Sequence, residues 1–260
     1  MRFAVGDVHG YRREVTAALR DQGLLDDAGD WAGGDAEVWF AGDLMDRGPD
    51  GVGVVEDVMR WQRQAESVGG RVSSVLGNHD LLALAMRRFQ DTAVSGGSPY
   101  EMPRSFALSW MINGGQARDQ EMLTDEMVDW LSNLPAVARL GPDLLVHADT
   151  TEYLSWGDDA DAVNGAVSGV LHADDLALWW ELWSCMTTRY AFLGDQGPAR
   201  ARELLGALGG SRVVHGHSII ADLLGVDPSA VTEPLVYADG LVLAVDGGIY
   251  AGGPSLVVPL

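Results

Sequence analysis

The sequence contains no lysine; all 17 of its basic residues are arginines. That excludes a Walker-type phosphate loop, Schiff-base chemistry and kinases built on an invariant lysine. Any cationic contact to a phosphate must therefore come from arginine, which grips phosphate oxygens bidentately. Cysteine is almost as scarce. Cys185 stands alone, so no internal disulfide forms and a reducing compartment is expected. No apolar run approaches transmembrane length, and the chain opens directly on an expected strand, Arg2–Val5, which leaves no room for a signal peptide. The expectation is a cytoplasmic protein without a membrane partner. Positive charge is also short: 17 basic against 38 acidic residues give a net charge of −21, so no broad nucleic-acid-binding surface is expected. Linkers, repeats and low-complexity tracts are missing too, which favours one domain over residues 1–260.

What is present is a rhythm. Apolar residues make up 47% of the chain, enough for a globular core. Arg2–Val5 runs into Gly6-Asp7-Val8-His9-Gly10 and then a helical pattern over about 11–22. Glu37–Ala41 runs into Gly42-Asp43-Leu44-Met45-Asp46-Arg47-Gly48 and a helix reaching about Glu66, with Pro49 in its first turn. Val72–Leu76 runs into Gly77-Asn78-His79-Asp80 and a helix over Leu81–Phe89. Strand, Gly-flanked polar loop and helix thus recur three times, so the loops should meet on one rim at the strands' carboxyl ends. Farther on, Ser95–Gly115 reads as a long loop with a short helix near Ser105–Ile112. Two strands turn at Gly141-Pro142, and the second ends in His147. A strand over Arg212–Val214 runs into His215-Gly216-His217. The tail, Leu235–Tyr237, Leu241–Val245 and Ser255–Val258, reads as an antiparallel meander.

Of only six histidines, five, His9, His79, His147, His215 and His217, fall in or just after an expected strand end. A lone histidine is usually a satisfied polar residue, but five such placements need a common cause. Imidazole, carboxylate and amide donors without thiolate suit manganese, iron or zinc. The donors are too many for one ion and fit two, bridged by a carboxylate. Asp7 and Asp43 alone could be helix caps, and Asn78 a turn residue. Arg47 alone could be a surface ion pair. Those readings explain the residues singly and leave the pairing unexplained.

The ordered motifs Gly6-Asp7-Val8-His9-Gly10, Gly42-Asp43…Asp46-Arg47-Gly48, Gly77-Asn78-His79-Asp80, His147-Ala148-Asp149 and Gly216-His217 resemble those of calcineurin-like metallophosphoesterases. Asp46-Arg47-Gly48 resembles the phosphoprotein phosphatase branch. His147-Ala148-Asp149 and Trp110-Met-Ile-Asn113-Gly114-Gly115 are similar to its bacterial and phage serine/threonine phosphatases and to the symmetrical diadenosine tetraphosphatases. The resemblance implies an α/β sandwich of two mixed β-sheets flanked by helices. It also implies two divalent transition metals, manganese first and iron or zinc as alternatives, and hydrolysis of phosphate esters by in-line attack of metal-bound hydroxide.

By the same resemblance, Asp7 and His9 hold the first metal, Asp43 bridges, and Asn78, His147 and His217 hold the second. His79 is the general acid, Asp46 orients it, and Arg47 binds phosphate. A second phosphate-binding arginine is expected between the His147 and His217 motifs. Arg189 is the candidate, with a surface arginine neutralising its acidic neighbours as the equal alternative. Ile219 stands where many members carry a further histidine ligand, so the first metal has fewer protein ligands. His215 is read as packing behind the site. Trp179, Trp180 and Trp183 could stack a base but are read as core; Cys185 is read as packing and His172 as unrelated. The expected substrate is phosphoserine or phosphothreonine in proteins. A dinucleoside polyphosphate is the alternative, and a non-catalytic metal-binding scaffold a third reading.

Overall fold

The computed structural model describes residues 1–94 and 104–260, so part of the expected Ser95–Gly115 loop lies outside the described residues. Two sheets face each other. In the first, β1 (Arg2–Val5) pairs in parallel with β2 (Glu37–Phe40), and β2 in parallel with β3 (Arg71–Ser74). In the second, β4 (Val137–Leu140) is antiparallel to β5 (Asp143–Val146), and β5 is parallel to β6 (Arg212–His215). The tail strands β7 (Leu235–Tyr237) and β8 (Val242–Ala244) pair antiparallel, and β8 lies parallel to β6.

The tail is not a meander. Its last strand, β9 (Val257–Pro259), leaves for the first sheet and pairs antiparallel with β1. The turn between β8 and β9 contains Gly248 and Gly252 at φ 76° and 94°, where side chains carry a steric cost. That bend carries the chain across the rim, and Gly6 N–H then donates to Leu256 O (3.1 Å). Three tail strands are expected and three form, but an apolar run alone does not say which sheet a strand joins.

Strand alternation sets the layers. Ala4, Trp39, Ala41, Leu140, Leu145, Val214, Leu243 and Val245 pack together between the sheets. Alternate positions Phe3, Val5, Val38, Phe40 and Val72 join the larger core with the helices. The helices include α1 (Arg12–Asp21), α2 (Gly51–Glu66), α3 (Asn78–Phe89), α4 (Phe106–Ile112), α5 (Ala117–Met122) and α6 (Asp125–Ser132). Next come α7 (Ala160–His172), α8 (Leu176–Thr187), α9 (Gly197–Leu208) and α10 (Ile220–Leu224). Among the described residues no helix is long and apolar enough to cross a membrane.

Two helix starts differ from expectation. Pro49 lies outside α2, because Asp50 is the cap and its Oδ1 accepts from Gly53 N–H (3.2 Å). Helix α3 begins at Asn78, three residues early. Asp80 folds back to accept from Gly77 N–H (3.0 Å), which satisfies a donor at the helix start.

Register places the site. Val5 pairs with Phe40 and Phe40 with Ser74; on the other sheet Val146 pairs with His215 and His215 with Ala244. Six parallel strand ends therefore stop level in two rows, and every loop that follows them opens on one rim.

Candidate metal centre

The loop after β1 supplies Asp7 and His9, the loop after β2 supplies Asp43, Asp46 and Arg47, and the first turn of α3 supplies Asn78 and His79. His147 follows β5 and His217 follows β6. All but Arg47 are at least nine-tenths buried. The backbone is strained here. His9, Asp43, Asp46, Arg47, Tyr190 and His217 are six of the nine non-glycine residues at positive φ among the described residues. Each such residue costs on the order of 1–3 kcal/mol, which the surrounding packing must offset. Gly77 and Gly216 are glycines for space: a Cβ on either would collide with Asp43 or Asp7.

Two buried groups of donors could each hold a metal ion: His9, Asp43 and His79, and Asp43, His147 and His217. In each, the ligand atoms lie within 4.8 Å of one another, and Asp43 belongs to both. Its oxygens divide the work. Oδ2 stands 3.6 Å from His9 Nε2, and Oδ1 stands 3.4 Å from His147 Nε2. His79 N–H fixes the carboxylate by donating to Oδ1 (2.8 Å).

Hydrogen bonds also fix the imidazoles. A carbonyl only accepts, so His9 Nδ1 must carry the proton it shares with Met45 O (3.1 Å). His147 Nδ1 likewise donates to Ala41 O (2.8 Å). Both rings then present a bare Nε2 to Asp43. His147 Nε2 also lies 2.8 Å from Asn78 Oδ1, and two acceptors that close call for a cation at their focus. His217 Nε2 donates to Thr187 O (3.3 Å), and its backbone N–H donates to Asp7 Oδ2 (2.9 Å). The other oxygen of Asp7 is buried without a partner. A buried carboxylate oxygen left bare is costly unless something positive fills the gap.

His79 differs from the other donors. Its Nδ1 bonds Asp46 Oδ2 (3.1 Å) and its Nε2 lies 3.1 Å from the Arg47 guanidinium. Arginine only donates, so Nε2 accepts and Nδ1–H points at Asp46. Both nitrogens are engaged, and coordination would require giving up Arg47. Asp46 Oδ1 in turn accepts from Trp110 Nε1 (2.9 Å), and Arg47 N–H donates to Gly114 O (2.8 Å). These bonds are the structural reason for the Trp110…Gly114 motif.

Electrostatics agree with a cation-binding pocket. Burial opposes charge on Asp43, but His147, His79, His9 and His217 around it hold its carboxyl well below the usual range. Burial, with His147 and Arg189 beside it, pushes the His217 imidazole well down, and burial also lowers His9 and His147. Neutral imidazole is the form that binds a metal.

Arg189 follows α8 close enough to depress both His147 and His217, and it makes no ion pair to a carboxylate among the described residues. His215 stays outside both donor groups. Its Nδ1 donates to Gly216 O (2.8 Å) and its Nε2 accepts from Tyr237 OH (2.8 Å), so it braces the loop that carries His217. Trp179, Trp180 and Trp183 pack with Phe89 and Phe106, at centroid distances of 5.0–6.3 Å, as core. His172 sits at the exposed end of α7.

Three residues had no role assigned from the sequence. Asp149 is fully buried; its carboxylate accepts from Tyr190 N–H (2.8 Å) and Ser218 Oγ (2.6 Å), tying the loops of His147, Arg189 and His217 together. Asp246 follows β8 as Asp7 follows β1, buried against it, and burial pushes its carboxyl up to about 7. Tyr250 stacks on Arg47, whose Cζ is 3.8 Å from the ring centroid. A strand running into Asp246-Gly247-Gly248 was the signal available for the last two, and the meander reading hid it.

A symmetrical bis(5'-nucleosyl)-tetraphosphatase of Aromatoleum aromaticum is 32% identical over 66% of the chain and 52% of that protein. Shewanella-like protein phosphatase 2 of Arabidopsis thaliana is 33% identical over 30% of the chain and 20% of that protein. The chain thus spans about half or less of the length of these curated relatives. Among solved structures, a cold-active protein-tyrosine phosphatase of a psychrophilic Shewanella superposes with a TM-score of 0.71 at 20% identity, over 98% of this chain and 73% of the other. A Saccharomyces cerevisiae protein serine/threonine phosphatase gives 0.59 at 12% identity, over 94% and 66%. These likenesses show the fold. The model of the calcineurin-like phosphoesterases matches residues 3–220, from β1 through the last donor, and the chain belongs to that family.

Proposed function

We propose that the chain is a dinuclear-metal phosphomonoesterase acting on phosphoserine or phosphothreonine in proteins. The observation that carries this reading is Asp43, whose two oxygens face two different groups of donors while Asp46, His79 and Arg47 form a hydrogen-bonded line beside them.

Asp7, His9 and Asp43 are assigned to one ion, and Asp43, Asn78, His147 and His217 to the other. Asp7 is preferred to His79 because its Oδ1 is bare and buried, whereas both nitrogens of His79 are engaged. Manganese is the first choice, with iron or zinc as alternatives. When bound, such a pair polarises a phosphoryl oxygen and lowers the pKa of water. The protein's own groups do the rest. Arg47, held flat by Tyr250, and Arg189 grip the phosphate oxygens as charge spreads over them. His79, held at Nδ1 by Asp46, takes up a proton on Nε2 as Arg47 turns to the phosphate, and delivers it to the leaving oxygen.

A dinucleoside polyphosphate is the second reading, favoured by the tetraphosphatase relative that matches two thirds of the chain. Purified protein loaded with Mn²⁺ should be assayed on p-nitrophenyl phosphate, on peptides bearing phosphoserine, phosphothreonine or phosphotyrosine, and on diadenosine tetraphosphate. Faster turnover of phosphoserine or phosphothreonine peptides is expected. Preference for the dinucleotide would select the second reading, and no turnover with metal bound would leave only a binding scaffold.

A further inference from the structure

Behind the Arg47 loop lies a cavity of about 580 Å³ lined by Gly10, Arg12, Arg13, Glu14, Pro49, Asp50 and Arg118. Three arginines in one cavity are conspicuous in a chain with 17 basic and 38 acidic residues. Arg12 is locked by Asp57 (2.7 Å) and Asp50 (3.2 Å). Arg13 and Arg118 make no hydrogen bond or ion pair with any described residue, so their charge is not spent within the fold.

The cavity is bolted to the candidate metal centre. Gly10 follows His9, and its carbonyl accepts from Asp50 N–H (3.1 Å), three residues after Arg47. Gly48 N–H donates to His9 O (2.8 Å), closing the two loops on each other. On α5, Arg118 stands between two anchors. Gln116 Nε2 donates to Gly114 O (3.1 Å) and Arg47 O (3.4 Å), and buried Asp119 accepts from Gly51 N–H (3.1 Å) at the start of α2. Those bonds hold Arg118 on the wall of the Arg47 loop and leave its guanidinium exposed.

We propose that this cavity is an anion subsite that takes a second phosphate of the substrate while the first lies at the metal centre. The inference rests on the phosphoesterase reading and narrows it to substrates with two or more phosphates. Two sources supply that chemistry: a second phosphorylated side chain on one peptide, or the far end of a polyphosphate chain.

The test compares wild type with the double variant Arg13→Glu/Arg118→Glu. Substrates are p-nitrophenyl phosphate, one peptide carrying one or two phosphates, and diadenosine tetraphosphate. Wild type should favour a multiply phosphorylated substrate over the singly phosphorylated peptide by about tenfold in kcat/KM, and the variant should lose that preference while p-nitrophenyl phosphate turnover is unchanged. Loss confined to the peptide or to the dinucleotide identifies the source. Equal preference in both proteins overturns the subsite. If neither protein turns over any substrate, the phosphoesterase reading fails by itself, and calorimetric binding of inorganic tripolyphosphate decides the subsite: weaker binding by the variant supports it, equal binding overturns it. Should the glutamate pair misfold on thermal melting, Arg13→Gln/Arg118→Gln serves in the same comparisons.

Discussion

The two halves of the candidate centre are built differently. The half from the first sheet comes in three compact runs, residues 6–10, 42–48 and 77–80, the first two loops after parallel strands and the third the start of α3. The half from the second sheet comes one residue at a time from His147, Arg189, His217 and the neighbourhood of Asp246, spread over about a hundred residues of crossover helices. The compact half packs its donors and the proposed acid and phosphate grip into two strained loops and one helix start. The dispersed half depends on carboxylates and carbonyls behind it, above all Asp149, to bring distant loops into line. A site can therefore be locally encoded on one side and topologically encoded on the other.

That contrast can be broken by mutation. The largest effect belongs to Asp43, where the halves join. Asp43→Ala should release metal from both positions and lower kcat/KM on the order of a thousandfold or more. Metal analysis of the purified variant checks this, and full retention of both ions would refute the bridge. In the compact half, His79→Asn should keep metal content intact and slow poor leaving groups by about 10²–10⁴-fold. Parallel loss of metal would show that His79 is a ligand.

Asp149→Ala probes the dispersed half. It should raise KM for phosphate esters and lower metal affinity by about 10–100-fold, while the shape of the pH–rate profile stays as in the wild type. Asp149→Asn, which keeps an acceptor for Tyr190 N–H, should recover part of the loss. If Asp149→Ala changed neither KM nor metal affinity, the second half would not need its brace. The smallest effect is expected away from both halves. Burial pushes the Cys185 thiol up from 9.0 to about 12, so the folded protein should resist thiol reagents at pH 8 and react only once denatured. Because the folded value is the higher, this group's stabilisation is present below pH 9 and lost as pH rises toward 12. Rapid modification of the native protein would contradict its burial.

What could be read from the sequence follows the same division. Strands, loops and first-sheet residues were legible because an apolar run, a flanking glycine and a polar residue fall within five positions. Asn78 and His79 were found but assigned to a loop, since the back-bonding of Asp80 that starts α3 early is a tertiary arrangement with Leu44 as well. The destination of β9 was not legible, because a three-residue strand carries no mark of its partner. Asp246 and Tyr250 were missed for the same reason. Arg189 was found only because no other arginine stands between His147 and Arg200; what fixes its neighbour is the bond from Tyr190 N–H to Asp149, 41 residues away.

The most direct measurement is an anomalous difference map from crystals grown with Mn²⁺. Two peaks roughly 3.5–4 Å apart, one on each side of the Asp43 carboxylate and neither touching His79, are the expected result. A single peak, or one coordinated by His79 Nε2, would contradict a shared bimetallic centre.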